Sequence, residues 1–147
     1  MKTGWKDTRQ LARGKAVGYS QLAPLTMWDE KNTGSNPFDS PKMLLTASGG
    51  RKLGPYEDPD LKDVPVNFLS EGDITNGSSG SATLNASGEL AGLAFDGNYE
   101  AMGSDYLVNP EVSRAIHVDS RYMLWVMDAV DGAPRADLTF KAPTTAP

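Results

Sequence analysis

One serine-rich turn holds the residues whose types and spacing could do chemistry. In Gly77-Ser78-Ser79-Gly80-Ser81-Ala82 a central serine is followed by a glycine and preceded, two residues back, by another. A serine hydroxyl attacks a carbonyl efficiently when a tight backbone turn exposes it. The same turn must aim two main-chain N–H groups at the oxygen on which negative charge develops. Glycines permit that geometry, because a Cβ would crowd the incoming carbonyl. Ser79 is the candidate nucleophile, and the N–H groups of Gly77 and Ser79 are the candidate oxyanion hole. The competing reading is a solvated Ser/Gly loop with no chemistry.

The flanks supply the elements that must position this turn. Val64-Pro65-Val66-Asn67-Phe68-Leu69 is an apolar, strand-like run before it. After it, Thr83-Leu84-Asn85 is short and strand-like, and Asn85-Ala86-Ser87-Gly88 is a turn by composition. Residues 89–95 then read as the second strand of a hairpin, with Leu90, Gly92 and Ala94 on one face and Ala91, Leu93 and Phe95 on the other. Small and apolar residues on both faces suggest a strand inside a barrel wall. The clear helix spans residues 118–130. Asp119 or Ser120 can cap it, Gly132 can end it, and Tyr122, Val126 and Val130 recur at helical spacing. Trp125, Met123 and Met127 are expected in the core rather than against a ligand.

Composition bounds the rest. A chain of 147 residues is one domain's worth. Fifteen glycines and ten prolines make about a sixth of it, which favours a loop-rich β protein over a helical bundle. The net charge is −5 and no Lys/Arg run exceeds two residues, so nucleic acid is not an expected partner. No segment approaches the ~20 apolar residues of a membrane helix, and membrane insertion is not expected. Residues 1–19 are mixed and polar, unlike a signal peptide. The absence of cysteine excludes disulfides and thiolate chemistry and leaves the compartment open.

Three segments follow. Residues 1–63 read as a loop-rich N-terminal part with short strands, one of them within 11–19, where Val17 and Tyr19 are the clearest apolar pair; residues 1–7 read as disordered. Residues 64–132 carry the nucleophile turn and the helix, and 133–147 read as a frayed Pro/Thr/Ala-rich tail. Residues 21–65 are rich in Pro, Gly, Asn and Asp, with short apolar stretches at 22–28 and 42–47 and punctuation at Asn36-Pro37 and Ser40-Pro41. Such a stretch is expected as surface structure wrapped on another body.

Several runs in fixed order give a specific resemblance. They are Val64 to Ser70 with Asp73-Ile74-Thr75, Gly77 to Ser81, Gly92-Leu93-Ala94-Phe95-Asp96-Gly97-Asn98, Glu100-Ala101-Met102, and Val118-Asp119-Ser120-Arg121-Tyr122-Met123-Leu124-Trp125-Val126. Together they resemble the C-terminal part of the bacterial dipeptidyl-peptidases seven and eleven, serine peptidase family forty-six of the chymotrypsin-like clan. The resemblance is strong over residues 64–128 and weaker back through Gly18-Tyr19 and Asn36-Pro37-Phe38-Asp39. The chain departs from the family at Ser78, where Asn is usual, and at Ala82, where Pro is usual. Many chymotrypsin relatives carry an aspartate before the nucleophile that pairs with a released N-terminus; Ser78 cannot form that pair.

The resemblance implies a mostly β fold: the C-terminal half of a chymotrypsin-like double β-barrel with a C-terminal α-helix. It implies a serine-type dipeptidyl aminopeptidase that releases N-terminal dipeptides through an acyl-enzyme on Ser79, without a metal or cofactor. The substrate is a peptide with a free N-terminus. The full-length family is periplasmic or secreted, and a homodimer of the whole enzyme is compatible with it. Asp96 of the Phe-Asp-Gly motif is implied to hold the substrate's α-ammonium. Gly97 stands where the acid-specific members carry arginine, so an open pocket and a hydrophobic penultimate residue are expected.

The general base is the missing component. The only histidine, His117, lies 38 residues after Ser79, whereas chymotrypsin-like enzymes run in the order His, Asp, Ser. His117 is therefore read as a polar residue near the helix start. The order Ser79, Asp96, His117 matches the α/β-hydrolases, but the βα crossovers of that fold do not appear in the sequence. The expectation is a C-terminal piece whose His and Asp lie in a missing N-terminal half of the catalytic domain, with which it would partner. Such a piece alone is expected to be inactive. Asp73 lies six residues before Ser79, the spacing of a Lys/Arg-pocket aspartate, and otherwise reads as a loop residue. Glu71 and Asp73 are weak evidence for Ca²⁺. The alternatives are a non-catalytic truncated β-domain or interaction module, and a trypsin-fold endopeptidase.

Overall fold

The computed structural model describes residues 19–133. The strand expected within 11–19 falls outside them apart from its last residue, as do residues 1–7 and nearly all of the tail. The described chain is mostly β with a C-terminal helix. Five antiparallel strands form one sheet in the order β1-β2-β5-β4-β3. They are β1 (Tyr19–Pro24), β2 (Pro65–Ser70), β3 (Ala82–Leu84), β4 (Leu90–Gly97) and β5 (Ala115–Asp119). The last strand inserts between β2 and β4, so the chain leaves β2 through the serine-rich turn and closes back over it.

Among the described residues three α-helices accompany this sheet: α1 (Thr26–Lys31) and α3 (Ser120–Trp125) pack on it, and α2 (Lys42–Gly49) packs on α1 and on the turn that follows α3. Helix α1 starts where the buried Asp63 carboxylate accepts the Thr26 N–H at 2.9 Å, satisfying one donor of the first turn. Helix α3 starts two residues later than its sequence pattern suggests, because Ala115–Asp119 is strand. Asp119 is its N-cap and accepts from the Arg121 N–H, as expected of that residue. A π-turn over Val126–Val130 then ends at Gly132, whose φ of +62 suits glycine.

The core gathers around Trp125, which is fully buried against Leu25, Leu44, Ala47, Leu53, Tyr56, Val64 and Val66. Its indole N–H donates to the Lys52 carbonyl at 2.8 Å, so burying the ring strands no polar atom. Six of those seven partners lie within residues 21–65. That segment is not a wrapping on a foreign body. Its short apolar stretches are spaced so that Leu25, helix α2, a 3-10 turn and Val64 converge on the chain's own C-terminal helix. The methionines also depart from expectation: Met127 is exposed and Met123 only half-buried, since the helix turns the face carrying Trp125 inward.

Strand β4 buries one face, Gly92 and Ala94, while Phe95 on the other is exposed. The two-sided burial of a barrel wall is not reached among the described residues. Gly92 is required sterically, because a Cβ there would overlap the Val118 carbonyl and lie 2.8 Å from the Phe68 ring.

Candidate functional site

The serine-rich turn is built by hydrogen bonds from both sides. Ser78 folds it back on the approach: its N–H donates to the Thr75 carbonyl at 3.1 Å, and its Oγ accepts the Thr75 N–H at 3.2 Å. Ser81 N–H donates to the Ser78 carbonyl at 3.0 Å. Strand β4 fixes the far side, with Gly80 N–H donating to the Ala94 carbonyl at 2.7 Å and Ala94 N–H to the Ser81 carbonyl at 2.9 Å. Gly77 and Gly80 have φ of +90 and +85, the left-handed region that a residue with a Cβ avoids.

What remains unbonded is the informative part. Among the described residues, the N–H groups of Gly77 and Ser79 donate to nothing, while those of Ser78, Gly80 and Ser81 are all taken. The Ser79 side chain is exposed and its hydroxyl bonds to nothing either. A turn that satisfies its other donors and leaves this alternate pair free, beside a free hydroxyl, has the donor pattern an oxyanion requires.

Strand β4 carries the second group of candidates. Ala94 pairs with His117 and Asp96 with Ile116, so Phe95 is an extra residue in the strand. This bulge breaks the alternation and leaves Phe95 and Asp96 both exposed in succession. The Asp96 carboxylate accepts only the Gly97 N–H, at 2.8 Å, which leaves most of its acceptor capacity unused. A Cβ on Gly97 would lie 3.1 Å from the Ala101 Cβ, so any side chain there must displace Ala101. Asn98 holds the following loop closed, accepting the Arg114 N–H and donating to the Val112 carbonyl. The Arg114 guanidinium is committed to the Pro110, Glu111 and Ser113 carbonyls, with Glu71 at 3.9 Å.

His117 is not at a helix start. It is the central residue of β5, only 3% exposed. Its Nε2 is 2.7 Å from Ser70 Oγ and its Nδ1 2.7 Å from Thr83 Oγ1, and its ring stacks on Phe68 at 4.9 Å. Both nitrogens are engaged, so His117 is not a base for Ser79. Burial holds its pKa below the ordinary 6.5. Residue type alone could not reveal this network, because β5 inverts the usual pattern. Its buried residues are Ala115, His117 and Asp119, while Ile116 and Val118 are half-exposed. A second polar cluster was equally illegible: Arg121 bridges Asp119 and Asp58, each at 2.9 Å.

Asp73 is an exposed residue of the irregular run before Gly77, and Glu71 is exposed nearby. Among the described residues no three His, Cys, Asp or Glu side chains gather as a metal site would need. A separate cleft of about 290 Å³ lies beside α1 and β2, lined by Lys31, Phe38, Asp39 and Asn67 among others.

The peptidase S46 family profile matches residues 15–137. The Asp/Glu-specific dipeptidyl-peptidase of Shewanella putrefaciens is 39% identical over 155 residues, spanning 86% of this chain and 21% of the relative. Dipeptidyl-peptidase 7 of Capnocytophaga gingivalis is 44% identical over 108 residues, spanning 74% of this chain and 15% of the relative. The crystal structure of Porphyromonas endodontalis DPP11 in complex with the dipeptide Arg-Asp superposes with a TM-score of 0.73 at 33% identity, covering 82% of this chain and 17% of that one. The chain therefore spans about a fifth or less of the length of these relatives.

Proposed function

Because the chain belongs to the peptidase S46 family, we propose that it is the nucleophile-bearing part of a serine-type dipeptidyl aminopeptidase. Ser79 attacks the carbonyl of the second residue of a peptide. The Gly77 and Ser79 N–H groups hold the resulting oxyanion; its collapse breaks the peptide C–N bond, the shortened peptide leaves as an amine, and water then hydrolyses the acyl-enzyme to release the N-terminal dipeptide. The observation that carries this reading is the free N–H pair beside the free Ser79 hydroxyl, in a turn whose other donors are satisfied.

The remaining roles follow. Asp96 pairs with the substrate's α-ammonium, an assignment supported by its exposure and by its single local hydrogen bond. The penultimate side chain is apolar. Gly97 offers it no cation, and Arg114, the only Lys or Arg in residues 98–114, is committed to backbone carbonyls. The base and its orienting carboxylate come from polypeptide outside these residues, as the partner half of a chymotrypsin-like double β-barrel. Export to the periplasm or medium and a homodimer of the whole enzyme complete the reading, on family likeness alone. Among the described residues no helix is long and apolar enough to cross a membrane.

The test uses the Shewanella relative with its matching stretch replaced by residues 15–137 of this chain. That chimera should hydrolyse dipeptidyl chromogenic substrates with a free N-terminus. Ser79→Ala should lower kcat by at least about 10³-fold with substrate binding retained. A chimera that keeps its rate after Ser79→Ala would overturn the assignment. The 147-residue chain on its own should show no turnover.

A further inference from the structure

Resting on the reading of Ser79 as nucleophile, we infer that His117 is a positioning residue: one buried imidazole clamps both ends of the nucleophile loop. Ser70 is the last residue of β2, where the loop departs, and Thr83 lies in β3, where it returns, four residues after Ser79. His117 is hydrogen-bonded to each at 2.7 Å, from opposite edges of one rigid ring. The clamp extends into the loop, since Ser70 Oγ also accepts the Gly72 N–H at 3.1 Å. It reaches the turn by a second route as well. His117 pairs with Ala94 in the sheet, and Ala94 makes the backbone bonds to Gly80 and Ser81.

The chemistry of the three side chains suits this task. A neutral imidazole has one donor and one acceptor, and each hydroxyl can take either role, so the bridge is complete with no charge. The Ser70 hydroxyl can accept from Gly72 and donate to Nε2 at once, and with Nδ1 protonated the ring donates to Thr83. Phe68 stacks on the ring and fixes its plane, and Gly92 leaves the space that the Phe68 ring needs. An aromatic carbon ring would fill the same volume and join nothing.

Amide hydrogen exchange of the complete 147-residue chain tests the clamp without requiring catalysis. His117→Phe should speed exchange at Gly72, Ser78, Gly80 and Ser81 by about tenfold or more, leaving Leu25 and Leu53 in the core unchanged. At Ser78, Gly80 and Ser81, Ser70→Ala and Thr83→Val should each give part of that effect in the wild type and none in the His117→Phe background, since both act there through the same ring, whereas Gly72, bonded to Ser70 itself, responds to Ser70→Ala in either background. If His117→Phe loosens the core as well, the Ser70→Ala/Thr83→Val pair decides, and it should speed only the loop amides. Exchange at Ser78, Gly80 and Ser81 unchanged in that pair, or single effects there that persist undiminished without His117, would overturn the proposal. In the active chimera His117→Phe should lower kcat about 10- to 100-fold with KM within about twofold, because misplacing a nucleophile costs rate rather than affinity. Unchanged kcat there would also overturn it. A Ser79→Ala chimera that retains activity would instead remove the peptidase reading, while the exchange data still judge the clamp.

Discussion

The two halves of this molecule are held together by different forces. Around Trp125, helices α2 and α3, strand β2 and Leu25, Leu53, Tyr56 and Val64 bury apolar side chains, and the Trp125 indole N–H meets the Lys52 carbonyl. Around Ser79 almost nothing apolar is buried. The turn, strands β3 and β4 and the loop over residues 98–114 are held by backbone and side-chain hydrogen bonds, with positive-φ glycines. In that half Phe95, Tyr99, Met102, Tyr106 and Leu107 stand exposed, Tyr106 at 96%. The first half is a core in its own right. The second carries most of the large apolar side chains exposed among the described residues. Stability and function are thus separable, which allows each half to be broken without the other.

The largest expected effect falls on the core. Trp125→Ala should cost about 3–5 kcal/mol, read as a lower midpoint in urea, because it removes the ring on which seven buried residues converge. Asp96→Ala should leave that midpoint unchanged, since the carboxylate is exposed. In the active chimera it should instead lower kcat/KM for free N-terminal peptides by about 10- to 150-fold, the loss of a charge-assisted hydrogen bond of roughly 1.5–3 kcal/mol. N-acetylated peptides should be poor substrates already and should lose little more. An equal loss on both would make Asp96 structural.

Gly92→Ala probes the seam between the halves. Its Cβ would meet the Phe68 ring at 2.8 Å and press on the Val118 carbonyl, so about 1–3 kcal/mol of stability should be lost in thermal unfolding. The smallest effect is in the pH dependence. Burial lowers the native pKa of His117 below the 6.5 of the unfolded chain. The unfolded state therefore binds the proton more readily. The contribution is complete above about pH 6.5 and is lost as pH falls from there through the native value. Among the neighbours of the ring are Phe68, Ser70, Thr83 and Ala94, none charged. His117→Phe should flatten this part of the pH–stability profile, and a profile that is unchanged would show that another group causes it.

Local pattern determined a good deal. The turn at residues 77–82, the hairpin turn at residues 85–88, strands β2 and β4 and the Asp119 cap could all be read from composition and periodicity, because each is specified by neighbours in the chain. Gly88 with its φ of +77 and the Asn85 side chain accepting from Ser87 and Glu89 make that hairpin turn self-contained. The family likeness, too, was legible in short ordered motifs. Tertiary structure alone decided the rest. It gathered the scattered apolar residues of 21–65 onto Trp125, because hydrophobic burial is non-directional and ignores sequence distance. It also put the polar face of β5 inward, against Ser70 and Thr83 from two other strands. A buried histidine is tolerable only where partners satisfy it. Those partners lie 47 and 34 residues away, where no local pattern could reveal them.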